Sequence, residues 1–325
     1  MAELYASNLE DLRTNGIMVS GVTRPVHLTL LGDRSFSTSF DGRAGAGCHF
    51  PSGYCCALDR PSSITIKHIP NYVDYGTLKD GNRAARIPRT LAQKTAVAAL
   101  CANGPLTTLL YPLAVTVTLS IERRPLMLFA SEDIVPMPFH VTLGVSPLLP
   151  TLGVEAVVLD TGAARAQEYA LQRTGSLRLD VGVLPAPYWG GRFEGKACQS
   201  IGRRLAAVCD ALERYLPSAR AAAYRRACEL WADLLPVLNR TAAFDAPERE
   251  GSRRQAAEFL DILQSRFEWL SITPELHILA CHAADWLDRF GSLGVFAEQG
   301  LEAGNGYRDK NATVLAAGSY LESCA

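Results

Sequence analysis

Apolar residues recur at helical spacing over much of the chain. Leu4, Leu9 and Leu12 fall on roughly one side of a helix over residues 3–14, and Gly16 and Gly21 break the pattern. Val26-His27-Leu28-Thr29-Leu30-Leu31 is a short β-prone run that Gly32-Asp33 ends. Residues 42–63 are rich in Gly, Ser, Cys and Pro and carry no periodic element, so their order needs another source, and a metal is one. Residues 89–103 read as a helix. Residues 105–160 alternate apolar runs with prolines and yield no element assignment.

The second half is more regular. A short helix is expected over Ala163 to Gln172. From Gly195 onward the pattern is strongly helical: Cys198, Ile201, Leu205, Val208, Leu212 and Leu216 mark one face, which Pro217 ends. Two more amphipathic helices are expected over Ala221 to Leu238 and Gln255 to Leu270. Thr273-Pro274 is a start signal, an N-cap followed by proline at the first helical position. The helix it opens carries Leu276, Leu279, Ala283, Leu287 and Phe290 on its apolar side and stops at Gly291. A last short helix is expected over Ala297 to Tyr307. No internal repeat or low-complexity linker interrupts the chain.

The 325 residues are 48% hydrophobic and 20% charged, which is globular composition and enough for one large domain or two average ones. The formal net charge of −1 gives no overall basic excess of the kind that holds nucleic acid by phosphate neutralisation. The basic pairs Arg123-Arg124, Arg203-Arg204, Arg225-Arg226 and Arg253-Arg254 fit solvated helix faces better than DNA contacts. The N-terminus does not read as a secretory signal. The most apolar stretch, Pro105 to Ile121, is interrupted by Pro112 and four threonines, and reads as buried core rather than membrane. Nine cysteines, an odd number, suit reduced thiols in an intracellular compartment, some buried and some on metal.

Three groups of residues carry candidate chemistry. His277 and His282 are five apart, which on an ideal helix turns their side chains about 140° from each other. They reach one metal only if the helix begins or distorts there; otherwise they are helix-surface or core histidines. Glu298 and Glu302 are four apart and share a helical face, with small residues around Glu302 that let a metal or a backbone approach. This too fits an ordinary exposed face. Asp33, at a strand end, is placed to hold a divalent cation, and equally to serve a turn or cap.

The order of these groups resembles the catalytic region of the V(D)J recombination-activating recombinase and its Transib-type transposase relatives. Leu31-Gly32-Asp33 looks like that family's second-Asp strand end, and Pro51-Ser52-Gly53-Tyr54-Cys55 like its cysteine segment. Pro138-Phe139-His140-Val141-Thr142-Leu143-Gly144 and Gly190-Gly191-Arg192-Phe193-Glu194-Gly195-Lys196 resemble two segments of its helical insertion. His277 and His282 have the spacing of its histidine pair. Glu298-Gln299-Gly300-Leu301-Glu302-Ala303-Gly304-Asn305 resembles its Glu motif, with Glu302 at the catalytic position.

The resemblance implies an α+β fold, mostly α, with a partial RNase H-like core interrupted by a long helical, zinc-linked insertion. The corresponding organisation is residues 1–41 for the second-Asp part of the core, 42–290 for the insertion and 291–325 for the helices carrying the Glu. It implies a structural zinc on Cys55, His277 and His282. Ser52 stands where the family has its first zinc cysteine, so Cys48 or Cys56 is the substitute fourth ligand. It implies Mg or Mn on Asp33 and Glu302, with Glu298 as a nearby acid, DNA as partner, a homodimer and a nuclear location, with no membrane. The family's first Asp has no counterpart: the acids before Asp33 are Glu3, Glu10 and Asp11, all within a helix pattern. The expectation is a DDE-type transposase or recombinase derivative with little activity as this polypeptide, or a non-enzymatic, zinc-stabilised copy that binds DNA or protein.

Overall fold

The computed structural model describes residues 2–28, 90–101, 129, 131–135, 138–178, 182–183, 193, 195–205, 209–210 and 214–296. These are mostly helical, with one small two-stranded sheet. In chain order they form α1 (Ala2–Asn15), β1 (Ile17–Val19), β2 (Val22–Arg24), α2 (Leu91–Cys101), α3 (Pro138–Thr161), α4 (Ala163–Ser176), α5 (Gly195–Arg204), α6 (Ser218–Asn239), α7 (Ala246–Arg266), α8 (Pro274–Cys281) and α9 (Ala283–Phe290). Single 3-10 turns cover Ser131–Asp133 and Gly294–Phe296. The fold is α+β and mostly α.

Helix α1 ends where Gly16 turns to φ 73°. Ser20 and Gly21, at φ 50° and 77°, close a two-residue turn between β1 and β2. Ile17 pairs with Arg24 and Val19 with Val22, antiparallel. The expected strand over residues 26–31 is not seen in its described part: residues 26–28 carry no strand pairing. Leu28 instead packs with Leu9 and Ile278 on Phe129 and Ile134.

Helix α3 is the centre of the packing, in contact with α4, α5, α6 and α8. Its buried face runs through Val141, Val145, Leu149, Leu152, Ala156 and Val157. This helix falls where the hydrophobic pattern gave no assignment. Pro147 and Pro150 each remove an intrahelical donor and crowd the preceding turn, and the helix survives them because neighbours cover it on several sides. By length and composition α3 is apolar enough to cross a membrane, but more than half of its most apolar window is buried inside the fold. The Pro105 to Ile121 stretch lies outside the described residues.

Helices α6 and α7 form the second half of the core. Trp231 of α6 stacks on Phe259 of α7 with ring centroids 6.2 Å apart, and Tyr224 meets Phe267 edge-on at 6.4 Å. Helix α7 starts earlier than its apolar pattern, at a capping box in which the Asp245 carboxylate accepts from the Glu248 N–H and the Glu248 side chain accepts from the Asp245 N–H. It ends at Arg266 rather than Leu270. Of the helix expected from Gly195 to Leu216, Gly195–Arg204 is helical, Leu205 lies in a turn and residues 209–210 are helical again, with the Cys209 N–H on the Leu205 carbonyl. Arg225 pairs with Asp210, Arg226 forks onto Glu258, and Arg253 reaches Glu250 and Asp288. These arginines tie helices together across the surface.

Candidate metal centre

The stretch from Thr273 to Gly291 forms two helices instead of one. Thr273 caps α8 by accepting from the Leu276 N–H at 3.3 Å, and Pro274 occupies the first helical position. The helix then breaks at His282, whose φ of −126° and ψ of −28° leave the helical region. His282 both ends α8, donating its N–H to the Ile278 carbonyl at 2.9 Å, and opens α9, where its carbonyl accepts from Trp286 at 3.3 Å. Gly291, at φ 74°, ends α9 in the left-handed conformation that glycine adopts without strain.

The break resolves the angular mismatch of a five-residue histidine spacing. The Nε2 atoms of His277 and His282 stand 3.2 Å apart. Their rings lie at a 71° interplanar angle with centroids 5.0 Å apart. Exposure is 2% for His277 and 7% for His282, so both imidazoles are inside the protein. Two arrangements suit this spacing. Either one Nε2–H donates to the other Nε2, or both rings carry their proton on Nδ1 and offer Nε2 lone pairs side by side. With zinc–nitrogen bonds of about 2.0–2.1 Å, two corners of a tetrahedral site are about 3.3 Å apart. The pair fits as half of such a site. Among the described residues no third His, Cys, Asp or Glu completes a metal-binding group with it.

The surroundings hold the pair from three sides. Helix α8 packs on α3 and α7, and α9 packs on α7 and α8. Gly144 of α3 lets the first turn of α8 come close: a Cβ there would lie 2.9 Å from the Glu275 Cβ, two residues before His277. Phe139, on the first turn of α3, comes within 4.0 Å of the Cβ position of Gly195 at the start of α5. The segments around Phe139 and around Gly195, singled out in the sequence, therefore meet at one end of α3, and Gly144 carries that contact on to the histidine helix. Cys281 is fully buried between the two histidines in sequence. Cys198, Cys209, Cys228 and Cys281 are all buried.

Downstream of α9 the chain is clamped. Phe244 donates its N–H to the Gly291 carbonyl at 2.7 Å, and Gly294 donates to the Arg240 carbonyl at 3.1 Å. The Ser292 hydroxyl donates to the same Arg240 oxygen. A Cβ on Gly294 would collide with the carbonyls of Asn239 and Arg240. Trp286, Phe290 and Phe296 close a triangle of rings with centroids 4.7, 5.8 and 5.1 Å apart. On the other side, Arg289 reaches Asp133 at 2.9 Å and the His27 ring at 3.0 Å, joining α9 to the N-terminal chain.

Of the candidate site residues, His277 and His282 are brought together. Asp33, Cys48, Cys55, Cys56, Glu298 and Glu302 lie outside the described residues, as does the helix expected over residues 297–307. The clamp at Gly291–Gly294 and the approach at Gly144 were not recognised from sequence; the small residues were visible there, but their purpose depends on carbonyls and side chains distant in the chain. No protein-family model matches this sequence, and no curated protein matches it.

Proposed function

We propose that this chain is derived from a DDE-type transposase or recombinase. In this reading its helical body is an insertion in an RNase H-like core, linked to the core by one zinc ion. His277 and His282 would hold the zinc through Nε2, with Cys55 and either Cys48 or Cys56 as thiolate ligands. Zinc there supplies folding energy, not reactivity. Asp33 and Glu302 would be two of the carboxylates that hold Mg or Mn, with Glu298 nearby. In the intact family such ions activate water at a DNA phosphodiester and stabilise the leaving 3′-oxygen; the freed 3′-hydroxyl then attacks a second strand. DNA as partner, a homodimer and a nuclear location belong to the same reading.

The observation that carries it is the approach of two buried imidazole nitrogens to 3.2 Å across a helix break. An uninterrupted helix would hold them about 140° apart. The test is metal analysis of purified protein, where about one zinc per chain is expected and His277→Ala and Cys55→Ala each lose it. Zinc-free protein, with a melting temperature unchanged by His277→Ala, overturns the reading.

A second reading, a zinc-stabilised binding protein without catalysis, is favoured by one further observation. Two acids preceding Asp33 are engaged within α1: Glu10 pairs with Arg13, and Asp11 accepts from Asn15 at 2.6 Å. These contacts hold both acids within the helix. A nicking assay on duplex DNA with Mg or Mn separates the two. Little or no product is expected from this chain alone; robust nicking that Glu302→Ala abolishes removes the second reading.

A further inference from the structure

Residues 7–28 contribute nothing to the core: each of them is half-buried or exposed. Neither α1 nor the β1–β2 hairpin packs along any other described helix. Among the described residues, two small contacts hold this segment to the helical body. Leu9 and Leu28 pack with Ile278 of α8 against Phe129 and Ile134. His27 and Asp133, each one residue before a member of that cluster, meet Arg289 of α9. Arg289 donates from Nη2 to the Asp133 carboxylate at 2.9 Å and to the His27 Nε2 at 3.0 Å, and from Nη1 to the Glu132 carbonyl.

Both attachments are weak by nature. Leu9 and Leu28 keep part of their surface in water. Charge contacts at the surface are screened by solvent and contribute little. Helices α3, α6 and α7, by contrast, bury whole faces in the main core. Segments with few buried apolar contacts open locally at a free energy far below that of global unfolding. What this segment leans on gives its opening a consequence. Ile278 packs both with the small cluster and against the main core. It lies between the two histidines in sequence, and its carbonyl accepts the His282 N–H at 2.9 Å, the bond that ends α8 at the break.

We propose that residues 2–28 form a strap that opens independently of the helical body, and that its opening governs how fast a metal enters and leaves the His277–His282 pair. The first half stands on the packing alone; the second rests on the zinc reading above. With the strap seated, Ile278 is held on one side of the break at His282 and Arg289 on the other. The two imidazoles, both inside the protein, then keep their 3.2 Å spacing. With the strap released, Ile278 loses its outer cover and Arg289 loses its contact with His27. The break is then free to adjust, and solvent reaches the pair.

Hydrogen exchange of the full chain, followed by mass spectrometry, reads the opening without reference to metal. Peptides from residues 2–28 should exchange faster than those from α3, α6 and α7, and the gap should widen in high salt, which screens the Arg289 contacts. Arg289→Ala and Leu28→Ala should each speed exchange of the strap severalfold and leave α6 and α7 unaltered. Transfer of zinc from the protein to a fluorescent chelator should quicken severalfold in the same variants. If a variant does not fold, the unaltered protein decides, with its exchange pattern and zinc transfer compared at low and high salt. Strap peptides that exchange as slowly as the α6–α7 core overturn the strap. Faster strap exchange with an unchanged rate of zinc transfer overturns its control of the pair. Zinc-free protein overturns the metal reading and with it the second half, while the exchange rates still decide the first.

Discussion

The indole N–H of Trp231 donates to the hydroxyl of Ser146 at 3.0 Å, joining α6 to the centre of α3 where both are buried. Gly202 of α5 lies beneath this bond: a Cβ there would sit 2.9 Å from the indole nitrogen and 3.1 Å from the Ser146 oxygen. Three helices therefore meet at one hydrogen bond with no space to spare. Ser146→Ala leaves a buried N–H without an acceptor and is expected to destabilise the protein by about 1–3 kcal/mol. Gly202→Ala overpacks the same junction, with an expected loss of about 1–3 kcal/mol. Because the two changes share a partner, their effects should not add. Urea unfolding of the single and double variants measures all three quantities.

The histidine pair leads to a pH-dependent prediction. A metal held on both Nε2 atoms requires both to be free of protons, so zinc retention should weaken as pH falls. A fluorescent zinc indicator, read across a series of buffers, is expected to show earlier release at lower pH. Removing the metal with a chelator should lower the melting temperature, and His282→Ala should make the protein insensitive to the chelator.

The start of α7 supplies a prediction with a defined sign. The Glu248 carboxyl is held below its usual value, first by the hydrogen bond from Arg240 and then by the backbone N–H of Asp245. A lowered folded-state value means that this contribution is present above the unfolded value of about 4.3 and is lost as pH falls through the folded one. Glu248→Gln should flatten that acid limb of the stability curve while leaving the neutral region little changed in shape. Asp245→Ala, which removes the cap itself, should cost about 1 kcal/mol at neutral pH. Unfolding followed by circular dichroism between acid and neutral pH tests both.

Gly294 leaves no space for a side chain. With its N–H on Arg240 and its Cβ position against two carbonyls, Gly294→Ala must push the chain off the loop between α6 and α7. Faster amide exchange is expected at Phe244, Gly291 and Phe296, together with a lower melting temperature. Unchanged exchange at these amides would contradict the clamp.

Much of the helical body was legible in sequence because α6, α7 and α9 each bury one face and expose the other. Helix α3 was not, for the opposite reason: buried against four other helices, it has lost the polar stripe that reveals periodicity, and Pro147 and Pro150 look like breaks. The β1–β2 hairpin is too short for alternation to register. At the site, the five-residue step from His277 to His282 indicated that a distortion was needed; that it occurs at His282 itself follows from the contacts α9 makes with α7, which no local pattern encodes.

The fixed ends of α9 make that helix a ruler. It begins at one of the paired histidines and finishes at a clamped glycine, with eight residues between, or about 12 Å at 1.5 Å per residue. Whatever follows Phe296 is launched from a point whose distance from His282 is set by hard geometry rather than by tether length. A one-residue insertion in α9 would leave the composition almost unaltered yet rotate that point by about 100° around the helix axis. Length within this short helix is thus a more stringent requirement than the identity of the residues that fill it.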